Sequence, residues 1–155
     1  LYLNEKDLKE NLFLLLGTNI LIAKYSIKYL LKNKIQGNIL FTSSILGVNA
    51  PKFEHYSGLD MVSPIEYSAA KSGIIMLTKY LAKKYRKKNI RINCISPGGI
   101  KEKQNPIFYR RYKRDTGNKG MLDPIDIIST IDFLMDDKSK SINGQNIIID
   151  DGWSL

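Results

Sequence analysis

The sequence predicts an α/β fold built on a parallel sheet. Helix-spaced apolar stretches alternate with short apolar runs in the order helix, strand, helix, strand, helix, strand, as crossover helices joining parallel strands require. The short runs, Ile39–Thr42, Ile90–Ile95 and Gln145–Ile149, lack the strict polar alternation of a strand with one wet face, so they read as inner strands covered on both sides. No internal repeat, low-complexity tract or linker divides the chain, so residues 1–155 read as one domain.

The elements follow in order. Asn4, with Glu5 and Asp7 behind it, starts a helix by placing acids at the positive end of the dipole. Helical spacing then runs through Leu8, Leu12, Leu15, Leu16, Ile20, Ala23, Ile27, Leu30 and Leu31, with a kink or weak point expected at Gly17-Thr18. Gln36-Gly37-Asn38 ends this unit and Ile39–Thr42 is the first strand. From Ser44 to Tyr67 the chain is irregular, with Gly47, Pro51, Gly58 and Pro64. Ser63-Pro64-Ile65-Glu66 matches a capping box, so Tyr67 is expected in the first turns of a helix running to about Lys88. Ile90–Ile95 is the second strand. Lys101–Met121 is polar, basic and weakly periodic, and reads as a loop or a solvated basic helix. Asp123-Pro124 opens a helix to about Asp136, and Gln145–Ile149 is the last strand, ended by Asp150-Asp151-Gly152.

Composition narrows the function classes. The 24 Lys and Arg against 15 Asp and Glu give a net charge of +9. Such an excess suits nucleic acid, anionic lipid or an anionic substrate. Part of it has a structural explanation, because Lys83, Lys84, Arg86, Lys87 and Lys88 crowd a helix C-terminus, where cations complement the dipole. No nucleic-acid recognition motif accompanies the charge. One cysteine, Cys94, excludes an internal disulfide and fits a reducing cytoplasm. The apolar run Leu12–Ala23 is interrupted by Gly17, Thr18 and Asn19 and falls short of a membrane span, so no membrane partner is expected. The sequence opens on Leu1 without a charged-then-apolar signal segment, and is expected to be a soluble fragment.

The chemistry concentrates at Tyr67 and Lys71. Four positions apart on a helix, they project from one face. An ammonium beside a phenol favours the phenolate, which readies a tyrosine for proton transfer near neutrality. Ser43 and Ser44, at the end of the first strand, offer a hydroxyl that could hold a substrate oxygen. The set reads as a device for protonating or deprotonating an alcohol or carbonyl. No metal-ligand cluster is expected. His55 reads as a surface loop residue, and Cys94 as strand packing.

Four motifs in order, Gly37–Ser44 with Gly47, Tyr67–Lys71, Ile90–Ile100 and Ile142–Gly152, make the chain similar to the C-terminal part of a short-chain dehydrogenase/reductase. The resemblance implies a Rossmann-like doubly wound parallel sheet whose N-terminal glycine-rich half is missing. No G-x-x-x-G-x-G turn, which would hold the cofactor pyrophosphate, occurs in these residues. Ser96–Ile100, the long stretch from Ser44 to Tyr67 and the ending Asp150–Leu155 further resemble the branch associated with flagellin modification and nonulosonate pathways.

The resemblance implies roles. Tyr67 is the expected proton donor or acceptor. Lys71 stabilises its deprotonated form and holds the nicotinamide ribose. Ser44 orients the substrate, because the family places a glycine, here Gly47, three positions after the catalytic serine. Pro97, Gly98 and Ile100 lie against the nicotinamide of NAD or NADP. The expected substrate is a small molecule, possibly an anionic sugar, with Arg110 and Arg111 as candidates to meet its phosphate. A homo-oligomer through the first long helix and the Tyr67 helix is the expected assembly. Against the family pattern, Leu15 or Leu16 stands where an asparagine often completes a proton relay, and Glu102 where a threonine often holds the cofactor. The alternative is a non-catalytic remnant or oligomerisation piece.

Overall fold

A computed structural model describes residues 3–155. Three parallel strands, β1 (Gly37–Thr42), β2 (Ile90–Pro97) and β3 (Asn146–Ile149), form a sheet in the order β1-β2-β3. The register sets Phe41 beside Cys94, and Pro97 beside Ile149. Each strand lies within a residue or two of its predicted place.

Among the described residues, five α-helices accompany them: α1 (Glu5–Leu12), α2 (Thr18–Asn33), α3 (Ile65–Lys84), α4 (Pro106–Arg114) and α5 (Ile128–Met135). A π-helical segment, Phe13–Gly17, joins α1 to α2 at the weak point the sequence marks. Asn4 caps α1 by accepting the Asp7 amide at 2.9 Å. Lys34, at φ 55°, ends α2 in the left-handed conformation.

The two faces of β2 are used differently. Ile90, Ile92 and Cys94 join Phe41 against Ala23 and Ile27 of α2 and Ile74 and Ala82 of α3. On the alternate side chains, the buried Arg91 guanidinium donates to the carbonyls of Asp136, Ser139 and Ile142, closing the negative end of α5. Asn38 of β1 donates to the Leu134 carbonyl of the same helix at 2.8 Å. The layering of helices on both faces of a parallel sheet is as predicted.

Three local expectations are corrected. Helix α3 starts at Ile65 with no side-chain cap, and Glu66 accepts instead from Asn11 at 3.0 Å, so the capping box does not form. The helix ends at Lys84, four residues early, because Tyr85 leaves the helical conformation. The predicted helix from Asp123 begins as a 3-10 turn, Pro124–Ile127, before α5. Within Lys101–Met121 lies the nine-residue α4, capped by Asn105 with Pro106 at its first turn.

The helical run Glu5–Asn33 is also long and apolar enough to cross a membrane, because the π segment carries it through Gly17. Its inner face is committed to the sheet through Ala23 and Ile27, while Phe13, Leu14, Ile22, Tyr25 and Tyr29 remain exposed.

Candidate functional site

The strand ends place the site. Beyond the carboxyl ends of β1 and β2 opens a cleft of about 500 Å³, where ligands of open parallel sheets bind. Ser44, Tyr67, Lys71, Pro97, Gly98 and Ile100 all line it. These six residues reach one cavity, although the first and last are 56 positions apart.

Tyr67 and Lys71 share one face of α3, and the Lys71 Nζ lies over the Tyr67 ring at 5.4 Å from its centroid. The ammonium also donates to the Thr42 carbonyl at 3.2 Å, which pins it to the end of β1. Burial draws the Lys71 amine below the usual lysine range. The two serines divide their work. Ser43 Oγ donates to the Lys71 carbonyl at 2.7 Å and is 3% exposed. Ser44 Oγ accepts the Leu46 amide at 3.2 Å and borders the cleft, so its proton remains available to a ligand.

Gly47 makes this arrangement possible. A Cβ there would stand 2.7 Å from the Lys71 carbonyl carbon and 2.8 Å from the Ser72 nitrogen. Only a glycine lets the turn after Ser44 press on the α3 backbone at Lys71.

The far wall is aromatic. Ile45, Phe108, Tyr112, Met121 and Trp153 form a second buried cluster at the strand ends. Tyr112 stacks on Trp153 at 5.6 Å and 13°, and its hydroxyl accepts the Gly99 amide at 2.7 Å. Burial pushes the Tyr112 phenol up to about 12.

His55 is the residue that sequence reasoning misplaced. It is 2% exposed, lines the cleft, and shares a 2.7 Å hydrogen bond between Nε2 and Asp115. Lys52 reaches the same carboxylate at 3.3 Å. Burial pushes the Asp115 carboxyl up, but the bonds from His55 and Lys52 outweigh it and hold the group below the usual carboxylate range. Glu54, His55 and Asp115 bring three potential metal ligands together, but the Lys52 ammonium already compensates that carboxylate.

Arg111 is also reassigned. Its guanidinium donates to the carbonyls of Ser57 at 2.6 Å, His55 at 3.2 Å and Glu54 at 3.4 Å. Through its Nη1 it fastens α4 to the 52–58 loop. Arg110 remains exposed, beside Lys101 and Lys113 in a shallow basic hollow outside the cleft.

The asparagine departure takes a defined form. Leu15 lies in the π segment, and Asn19 donates to its carbonyl at 2.9 Å. Asn11 is engaged by Glu66. Glu102 is exposed, its amide bonded to Gln104 at 2.6 Å.

Known proteins share this chain's sequence pattern and fold. A family profile described as enoyl-(acyl carrier protein) reductase matches residues 6–154. The chain is 45% identical over 146 residues to post-translational flagellin modification protein A of Campylobacter coli, covering 94% of this chain and 57% of that protein. It is 31% identical over 128 residues to 7alpha-hydroxysteroid dehydrogenase of Bacteroides fragilis, covering 77% of this chain and 44% of that one. A short chain dehydrogenase of Leptospira borgpetersenii, solved with bound NAD+, superposes with a TM-score of 0.94 at 32% identity, over 99% of this chain and 59% of the other. The chain thus spans about half the length of these curated relatives.

Proposed function

The chain belongs to the short-chain dehydrogenase/reductase family, and from that premise we propose that the protein interconverts an alcohol and a carbonyl with NAD or NADP. Residues 1–155 are read as the site-bearing part of one Rossmann-like domain. The observation that carries the reading is the Lys71 ammonium over the Tyr67 ring, in a cleft that Ser44 also lines at the ends of parallel strands.

The donor set fits the nicotinamide end of the cofactor. Tyr67 and Lys71 offer a hydroxyl and an ammonium to its ribose, while Pro97, Gly98 and Ile100 offer backbone groups beside the cleft. When bound, the cofactor supplies hydride transfer. Tyr67 gives a proton to the substrate oxygen during reduction and takes it during oxidation. Ser44 holds that oxygen toward the phenol. Lys71 keeps its ammonium over the phenol ring, beside the group that exchanges the proton.

For the substrate, we propose a sugar or sugar phosphate used in flagellin modification. The 45% identity to a flagellin modification protein supports the flagellin-modification setting. The lone thiol, Cys94, suits a cytoplasmic setting. Self-association is proposed through α1–α2 and α3, whose exposed residues include Leu14, Ile22, Tyr25, Met76 and Tyr80. That apolar surface is also what favours the second reading, an assembly piece without turnover.

The test is cofactor-linked turnover of sugar substrates, followed by nicotinamide absorbance, alongside Tyr67→Phe and Lys71→Met. Each variant should lose at least about 10²-fold in kcat while retaining its fold. Self-association by sedimentation without cofactor binding or turnover would select the second reading.

A further inference from the structure

Two glycines follow Pro97, and Tyr112 of α4 accounts for both. A Cβ on Gly98 would stand 2.8 Å from the Tyr112 hydroxyl and 3.0 Å from the Asp150 Cα. One on Gly99 would stand 3.1 Å from Cζ of the same ring. The tyrosine therefore lies flush against the turn that leads from β2 to Ile100. Its hydroxyl accepts the Gly99 amide at 2.7 Å. The nearby amides of Gly98 and Lys101 go to the main-chain carbonyls of Ile149 and Leu122, at 2.8 Å and 2.7 Å. Gly99 relies on a side chain instead.

That side chain is itself fixed. Tyr112 is 5% exposed and stacks on Trp153 at 5.6 Å. Burial raises its phenol to about 12, so it stays neutral and the contact persists across neutral pH. The preceding residue, Arg111, bonds to the loop that carries His55 and Tyr56. Consecutive residues of one short helix thus grip two separate parts of the cleft lining.

We infer that Tyr112 is a positioning residue for the cofactor. Through the Gly99 amide, its hydroxyl holds the Gly98–Ile100 wall of the cleft in the place where it meets the nicotinamide end. The inference rests on the cleft being the cofactor site. Tyr112 acts through Gly99 and not on the reacting atoms. Without the hydroxyl the Gly99 donor is left unmatched, and the turn must shift to find another acceptor.

Tyr112→Phe keeps the ring and removes the hydroxyl. Two quantities are followed by NMR in the unmodified protein and the variant, well below the unfolding midpoint. One is hydrogen exchange of the Gly99 amide. The other is the dissociation constant of NAD+ and of NADP+, read from the Tyr67 and Ile100 amides. In the variant, Gly99 should exchange at least about tenfold faster, and whichever cofactor binds should bind roughly tenfold more weakly. A merely structural role would lower the unfolding midpoint and leave the dissociation constant in place, and that result would overturn this inference alone. Unchanged Gly99 exchange in the variant would also overturn it, by showing that the hydroxyl does not hold the turn. In the unmodified protein, cofactor binding should slow Gly99 exchange further, so the test survives a variant that folds poorly; binding that leaves Gly99 exchange unaltered would count against the inference in the same way. If neither cofactor shifts Tyr67 or Ile100 in the unmodified protein, the inference falls together with the reading of the cleft as a nicotinamide site.

Discussion

Ser43 donates its hydroxyl to the main-chain carbonyl of Lys71 at 2.7 Å. The end of the first strand is thereby fastened to the helix residue whose ammonium lies over Tyr67. Neighbouring serines thus serve different ends, one holding the scaffold and the other facing the cleft.

Replacing them should separate these roles. Ser43→Ala removes a buried hydrogen bond to a carbonyl that also serves the α3 backbone, so unfolding in urea should show a loss of about 1 kcal/mol. Ser44→Ala gives up only the acceptor for the Leu46 amide, with a smaller stability change. Its effect should appear in turnover, with kcat/KM falling by at least about tenfold while the midpoint of unfolding moves little.

Gly47→Ala places a methyl 2.7 Å and 2.8 Å from backbone atoms of Lys71 and Ser72, which cannot swing aside as a side chain would. Overpacking of this kind costs about 1–3 kcal/mol. The turn must lift, carrying Ser44 away from Tyr67, so kcat should fall together with thermal stability. A variant with wild-type stability and turnover would show that the contact yields.

Arg111→Ala distinguishes a clamp from a phosphate ligand. Loss of three hydrogen bonds to the 54–57 carbonyls should cost about 1–2 kcal/mol, since those carbonyls regain water. Proteolysis within that loop should accelerate. A substrate-binding arginine would instead raise KM and leave both stability measures in place.

Acid should loosen the wall of the cleft first. The amides of Gly120 and Asn118, with that of Lys119, hold the Asp151 carboxyl below its usual range, and Asp115 is also lowered. A carboxylate whose folded pKa is depressed contributes stability that is present above its unfolded value, near 3.9, and is lost as pH falls through the folded value. Denaturant unfolding should therefore weaken on the acid side of about pH 4, and Asp151→Asn should flatten that limb. A wild-type profile in Asp151→Asn would assign the acid loss to other groups.

Much of this was legible from the chain alone. The strands and the Tyr67 helix announce themselves through local apolar runs, and the four motifs fix which ends of the strands matter. What escaped was set by contacts between distant segments. His55 looks like a loop residue until Asp115, 60 positions later, pairs with it and aromatic rings enclose it. The Ser63 capping box had the right spacing, but Asn11 claims Glu66 from another helix. Helix α4 hides because its basic outer face masks a narrow apolar seam of Phe108 and Tyr112.

Strand β1 hydrogen-bonds to one neighbour among the described strands, so its outer flank still offers backbone donors and acceptors. The chemical groups hang from that same strand: Thr42 grips Lys71, and Ser43 and Ser44 follow directly. A strand paired along that flank would stiffen the backbone from which those hydroxyls hang.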